Sequence, residues 1–265
     1  MSAFTYKLSG ATHIVTGASG VQMVMLVRKG REYFTDFIAR EAKAQKLKVV
    51  VNGSFIDLTF AGRVAAVARS APLDATDSTP TGEVIQQGKL LQGPSSNGKF
   101  NFAQNTCGVD KFSAGLGNPS GAACAAIGGI APIIIDDVPY GATNSYKAGV
   151  PAGAPLTGDV DAKYLPFLVQ KSNAMFAAIL ARGTDVGKTA IGFSNSTQTL
   201  LVLSQKHGTT GMDANDIRTV FAGLAMSNAV FLDCSDSATL YYDGKFLVSP
   251  GAMKNEYLTV AVGFK

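Results

Sequence analysis

Val230-Phe231-Leu232-Asp233-Cys234-Ser235-Asp236-Ser237-Ala238-Thr239-Leu240-Tyr241-Tyr242-Asp243-Gly244-Lys245 sets the architecture of this chain. Residues 230–232 are an apolar run of β-formers and predict the end of a buried strand. Residues 234–237 form a tight polar turn. Residues 239–242 predict a second strand, closed by Asp243-Gly244, a strong hairpin signal. The turn gathers Asp233, Ser235, Asp236 and Ser237 directly after a buried strand, where backbone amides and short side chains face a crevice. The same residues also suit a purely structural turn in which Asp and Ser side chains cap the backbone.

A second stretch repeats the arrangement. Residues 33–46 carry Phe34, Phe37, Ile38 and Ala42 at helical spacing, with Asp36 early and Lys43 and Lys46 late, which predicts an amphipathic helix. Residues 48–51 follow as a short buried strand, then Asn52-Gly53-Ser54-Phe55-Ile56-Asp57 as a polar turn. Around the first stretch, residues 213–224 predict a helix with Ile217, Val220, Phe221 and Leu224 on one face, leading into the strand at 228–233. If the two short strands run parallel in one sheet, right-handed crossovers bring both turns to the same edge. The expected fold is therefore α+β, a mixed β-sheet core with a few packed helices, as one domain over residues 1–265.

Composition supports a packed protein: 46% hydrophobic, 16% charged and 29 glycines in 265 residues. The net charge of +4 is modest, and the basic residues cluster only briefly, as at Arg28-Lys29-Gly30-Arg31. Nucleic acid is thus an unlikely partner. Three cysteines, Cys107, Cys124 and Cys234, are odd in number and lack metal spacing. They read as free thiols of a reducing compartment. With no signal peptide or bilayer-length apolar run in view, the expected location is cytoplasmic without membrane attachment, release by a non-classical route being left open. No metal or cofactor is expected, because His, Cys and carboxylates do not cluster at ligand spacing.

Two near-motifs fail on inspection. Ile14-Val15-Thr16-Gly17-Ala18-Ser19-Gly20 begins like a dinucleotide fingerprint, yet β-formers follow where a helix is needed, so it reads as a hairpin turn. Gly183-Thr184-Asp185-Val186-Gly187-Lys188-Thr189 approaches a phosphate-binding loop, but its glycines are one residue too close and a strand follows. Residues 79–91 read as a hairpin and 97–121 as a long ordered loop or irregular strands. An apolar run at 125–135 is broken by Gly128-Gly129. Residues 143–161, rich in Gly, Pro and Ala, suggest an insertion, and 161–181 helical character interrupted at Pro166.

Taken in order, several blocks resemble the phosphodiester glycosidase family. They are Val49-Val50-Val51-Asn52-Gly53-Ser54-Phe55, Thr79-Pro80-Thr81-Gly82-Glu83, Ala126-Ile127-Gly128-Gly129, Lys188-Thr189-Ala190-Ile191-Gly192, and Gly211-Met212 ahead of Leu232-Asp233-Cys234-Ser235-Asp236-Ser237. The resemblance spans roughly residues 12–265. It implies a hydrolase that cleaves the glycosidic bond of a glycosyl phosphodiester or related sugar phosphate. The chain departs from the family where Cys234-Ser235-Asp236 replaces a glycine-rich run, and where Lys188 replaces an arginine, turning a bidentate clamp into a point charge.

Such a reaction needs carboxylates near an oxocarbenium-like centre, and a cation with amide and hydroxyl donors for the phosphate. Asp57, Asp233 and Asp236 are the candidate catalytic carboxylates. Asn52, Gly53, Gln104, Asn105, Gly129, Lys188, Thr189, Ser235 and Ser237 are candidate substrate contacts, with Arg182 a further cation. His13 and His207 are the only histidines. His207 precedes a Gly-Thr-Thr-Gly loop and fits either a general acid or an incidental surface residue. The implied partner is a small molecule or glycan bearing phosphate; the oligomeric state is open. The alternative is a carbohydrate- or nucleotide-binding protein that keeps the fold with altered catalysis. A two-metal phosphodiesterase finds little support in two distant histidines.

Overall fold

The computed structural model describes residues 4–58, 72, 74–93, 101–106, 112–116, 119, 123–139 and 184–265. The insertion expected at 143–161, the helical segment expected at 161–181, Arg182 and Gly183 lie outside the described residues. In chain order the strands are β1 (Phe4–Ser9), β2 (Thr12–Gly17), β3 (Met23–Val27), β4 (Val49–Asn52), β5 (Ile56–Leu58), β6 (Ser78–Pro80), β7 (Val84–Gln86), β8 (Lys89–Gln92) and β9 (Asn101–Thr106). There follow β10 (Phe112–Leu116), β11 (Ala123–Ile135), β12 (Val138–Pro139), β13 (Lys188–Ser194), β14 (Thr199–Gln205), β15 (Asn228–Phe231), β16 (Leu240–Tyr242), β17 (Lys245–Val248) and β18 (Val260–Phe264). Three α-helices are described: α1 (Phe34–Gln45), α2 (Ala214–Gly223) and α3 (Ala252–Tyr257).

The strands form two large sheets and one small pair. The first runs β1-β2-β14-β13-β15-β11-β7-β8, with β9, β10 and β12 attached beside β11. The second runs β17-β16-β4-β18-β3, and β5 pairs with β6. Every strand pair among the described residues is antiparallel. This corrects the mixed sheet with parallel neighbours: β4 and β15 do not share a sheet, so no crossover aligns their ends. Helices remain few and sheet dominates.

Alternation along the strands explains the layering. One face of each large sheet meets the other in a core that includes Val15, Ile191, Val202 and Val230 from the first and Val49, Val51, Val262 and Phe264 from the second. The outer face of the first sheet packs Ala190, Leu203 and Phe231 against Ile217 and Phe221 of α2. The outer face of the second packs Val24, Leu26 and Val50 against Phe34, Phe37 and Ile38 of α1. The order is thus helix, sheet, sheet, helix. Helix α1 ends at Lys46 in the left-handed region, and α2 opens on a capping box in which Asp213 accepts from Asn215 and Asp216.

Candidate functional site

The site is built where the two facing sheets release their chains. Strand β4 ends in Asn52, which is fully buried. Its amide Nδ2 donates to the Asp233 carbonyl at 2.6 Å, and its Oδ1 accepts from Thr189 Oγ1 at 2.8 Å and from the Thr239 N–H at 3.0 Å. One side chain thereby ties β4 to the start of β13 and to both flanks of the 233–239 turn. The main chain repeats the link: Leu232 N donates to Thr189 O, and Asp233 N donates to Gly53 O, each at 2.9 Å. Gly53 is required because a Cβ there would lie 2.7 Å from the Val260 carbonyl oxygen.

The turn folds back through Ser235–Ser237, a single 3₁₀ turn. Ser235 adopts φ 63°, and its N–H donates to Gly187 O at 2.7 Å. Any side chain at Gly187 would overlap the Ser235 carbonyl oxygen. The Asp236 carbonyl accepts from Gly251 N at 2.7 Å, which anchors the start of α3 beside the turn. From α3, Lys254 reaches to 3.8 Å from Asp233 Oδ2, with its ammonium 5.6 Å from the centre of the Tyr257 ring. Ser237 Oγ donates to the same Asp233 oxygen at 2.6 Å.

Burial dominates the electrostatics. Asp233 is 4% exposed, and this desolvation pushes its carboxyl above the usual carboxylate range. Lys254 and the Ser237 hydroxyl oppose the rise, and Asp236 adds to it. For Lys254, burial pulls the pKa down, but Asp233, then Tyr257 and Asp236, outweigh it and raise the ammonium above its ordinary value. The result is a shielded carboxyl that holds its proton more firmly than usual, beside a firmly charged amine. Among the described residues, no three His, Cys, Asp or Glu side chains meet as a metal site.

A family model described as phosphodiester glycosidase matches residues 45–265. The chain belongs to the phosphodiester glycosidase family. Among solved structures, the catalytic domain of zebrafish N-acetylglucosamine-1-phosphodiester alpha-N-acetylglucosaminidase, described as auto-inhibited by its pro-peptide, matches with a TM-score of 0.56 at 15% identity. The match covers 98% of this chain and 80% of that one. A protein of Burkholderia pseudomallei K96243, described provisionally as exported, gives a TM-score of 0.53 at 12% identity over 96% of this chain and 73% of its own. A hypothetical protein from Synechocystis gives 0.52 at 14% identity, over 99% of this chain but only 62% of its own. These likenesses show the fold. No curated protein matches the chain.

Two expectations are corrected here. The cysteines are not all free: Cys124 is disulfide-bonded, while Cys234 is a free, buried thiol. The cytoplasmic location is also overturned. Among the structural neighbours are a catalytic domain described as auto-inhibited by its pro-peptide and a protein described as exported. A disulfide agrees, since such bonds persist where the surroundings oxidise.

Of the expected site residues, the fold brings Asn52, Gly53, Thr189, Asp233, Ser235, Asp236 and Ser237 into the one knot. Gly129 stands behind it: its φ is 71° and its carbonyl accepts from Phe55 N at 3.0 Å. Gln104 and Asn105 lie on β9 opposite Ala126 and Ala125, which sets them roughly 10 Å or more along β11 from Gly129. Asp57 occupies the middle of β5, paired with Thr79.

Lys188, the expected phosphate contact, lies on the other face of β13 from Thr189. Along β13, Thr189 and Ile191 face between the sheets, so Lys188 and Ala190 face the side covered by α2. Its ammonium is buried and donates to Val186 O at 2.9 Å. Burial pulls its pKa down, countered first by Cys234 and then by Asp213. The histidines stay outside: His13 Nδ1 meets Tyr6 OH at 2.9 Å, and exposed His207 accepts from Gly187 N at 3.2 Å. Sequence reasoning missed Lys254. Its short helix is brought to Asp233 by the Asp236–Gly251 bond and by Asn255 Oδ1, which accepts from Thr35 N of α1 at 2.9 Å.

Proposed function

We propose that this protein hydrolyses the glycosidic bond of a glycosyl phosphodiester. The observation that carries this reading is the buried Asp233 carboxyl, held between the Ser237 hydroxyl and the Lys254 ammonium on the Asn52 knot. A carboxyl whose pKa is raised by burial keeps a proton available for the oxygen that leaves C1. Lys254 offsets charge developing on the departing phosphate, in the place first expected of Lys188. The Asp236 carboxylate, on the same turn, faces the cationic sugar carbon and orients the attacking water. Water adds its oxygen to C1 and the C1–O bond breaks. The products are the free sugar and a phosphate monoester, the proton passing through Asp233. We place the reaction outside the cytoplasm, in keeping with the Cys124 disulfide.

A binding protein of the same fold is the second reading, favoured by the Cys234-Ser235 departure: the Cys234 thiol is pushed up to about 12 by burial and is chemically inert. Hydrolysis of a panel of glycosyl phosphodiesters in ¹⁸O-labelled water separates the readings. Label in the sugar supports the proposal. Label in the phosphate means cleavage at phosphorus, and binding without turnover favours the second reading.

A further inference from the structure

Arg28 is a buried cation that the site above does not use. It follows β3, is 1% exposed, and its N–H donates to Thr259 O at 2.8 Å, extending the β3–β18 ladder by one pair. On the other side of β18, Gly53 N donates to Val260 O, so Ser54 leaves β4 beside Thr259. Three neighbouring strands thus end together in Arg28, Thr259 and Ser54, all three buried.

These ends carry polar atoms without partners. Arg28 NH1 donates to the Glu32 carbonyl, but among the described residues its Nε and NH2 meet no partner, and neither do Ser54 Oγ and Thr259 Oγ1. Buried guanidinium donors are rarely left so, because desolvation is not repaid. The acidic groups whose charges act on Arg28, Glu32 and Asp74, are committed elsewhere. The Glu32 carboxylate holds Arg40 at 2.7 Å, and Asp74 Oδ1 accepts from Thr76 N and Oγ1 at 3.0 and 2.9 Å.

Nε and NH2 lie along one edge of the guanidinium, the edge that takes two oxygens of one anion side by side. One positive charge in a buried setting calls for one negative charge. From this we infer that Arg28, with Thr259 and Ser54, forms a second site for a singly charged oxyanion that presents two equivalent oxygens. A carboxylate and a phosphodiester both have that chemistry.

The test is thermal unfolding in sodium acetate, in sodium dimethyl phosphate, and in sodium chloride at equal ionic strength. An oxyanion that fills the site raises the Tm above the chloride value by a constant step per tenfold increase in concentration, once past its Kd. Acetate alone doing so identifies a carboxylate site, and dimethyl phosphate alone a phosphodiester site. The step should vanish in Arg28→Gln and persist in Asp233→Asn. If Arg28→Gln does not fold, Thr259→Val should weaken the Kd about tenfold, the effect of one hydrogen bond to a charged group. A chloride-like response to both anions in the unaltered protein means the donors meet water only, and overturns the inference. An unchanged step in Arg28→Gln, or an unchanged Kd in Thr259→Val, also overturns it.

Discussion

Replacing Asn52 with Ala tests the knot directly. The substitution removes three buried hydrogen bonds at once, to the Asp233 carbonyl, the Thr239 N–H and the Thr189 hydroxyl. Thr189 can turn to Ser204 Oγ, already 3.5 Å away, so its hydroxyl is rescued in part. Among the described residues, the carbonyl and the N–H have no such alternative. Each buried group left unsatisfied costs about 1–3 kcal/mol, so the loss is about 2–6 kcal/mol. That is a large share of a domain's usual 5–15 kcal/mol. In urea, with a slope of roughly 2–3 kcal/mol per molar, the midpoint falls by about 0.7–3 M. Thr189→Val removes one of the three bonds and leaves Asn52 in place, so it should cost less than half as much. A midpoint shift for Asn52→Ala below about 0.3 M would refute the reasoning, since it would mean that the three bonds are not holding the turn.

Other outcomes follow from the same geometry. Asp233→Asn should cut turnover by about two or more orders of magnitude, the scale of a lost proton donor, while circular dichroism shows the fold intact. Asp233 also carries a pH signature. Its folded-state pKa is raised, so the stability it contributes is fully present below its unfolded value of 3.8 and is lost as pH rises through the folded value. In a Lys254→Met background, where no ammonium loses its partner, Asp233→Asn should therefore raise the Tm at pH 8 but not at pH 3.5, and equal differences at both would refute the assignment. Lys254→Met should lower kcat/KM for a phosphodiester substrate at least tenfold and leave the Tm within a few degrees; an unchanged kcat/KM removes Lys254 from the reaction. Gly187→Ala should lower the Tm and the activity together, because the new methyl meets the Ser235 carbonyl, and full activity would show that this contact is not needed.

Much of the framework was written locally in the chain. Apolar residues at 3.6 spacing gave α1 and α2, with observed bounds within a residue or two of those expected. The β-former runs gave β4 and β15, and Asp243-Gly244 gave the β16–β17 hairpin, with Gly244 at φ 91°. The ordered blocks also carried the family, because they record spacing along the chain. Asn52, Asp233 and Ser237 were legible as polar turns directly after buried strands, a pattern that suits a binding edge and a purely structural cap alike.

What tertiary structure alone decided is how the strands pair and which side chains meet. Helix, strand and turn in succession are equally compatible with a parallel crossover and with two facing antiparallel sheets. The choice lies in long-range pairings such as β4 with β16 and β18, and β15 with β11 and β13. The face of Lys188 was fixed by its register one residue before Thr189, since a period of two sends neighbours to opposite sides of a sheet. Lys254 lies 21 positions beyond Asp233 in the sequence and reaches it because its helix is docked by the Asp236 carbonyl on Gly251 N and by Asn255 on Thr35 N. Burial likewise raises the Asp233 pKa, and burial belongs to the folded chain: no residue carries its own solvent exclusion in its identity.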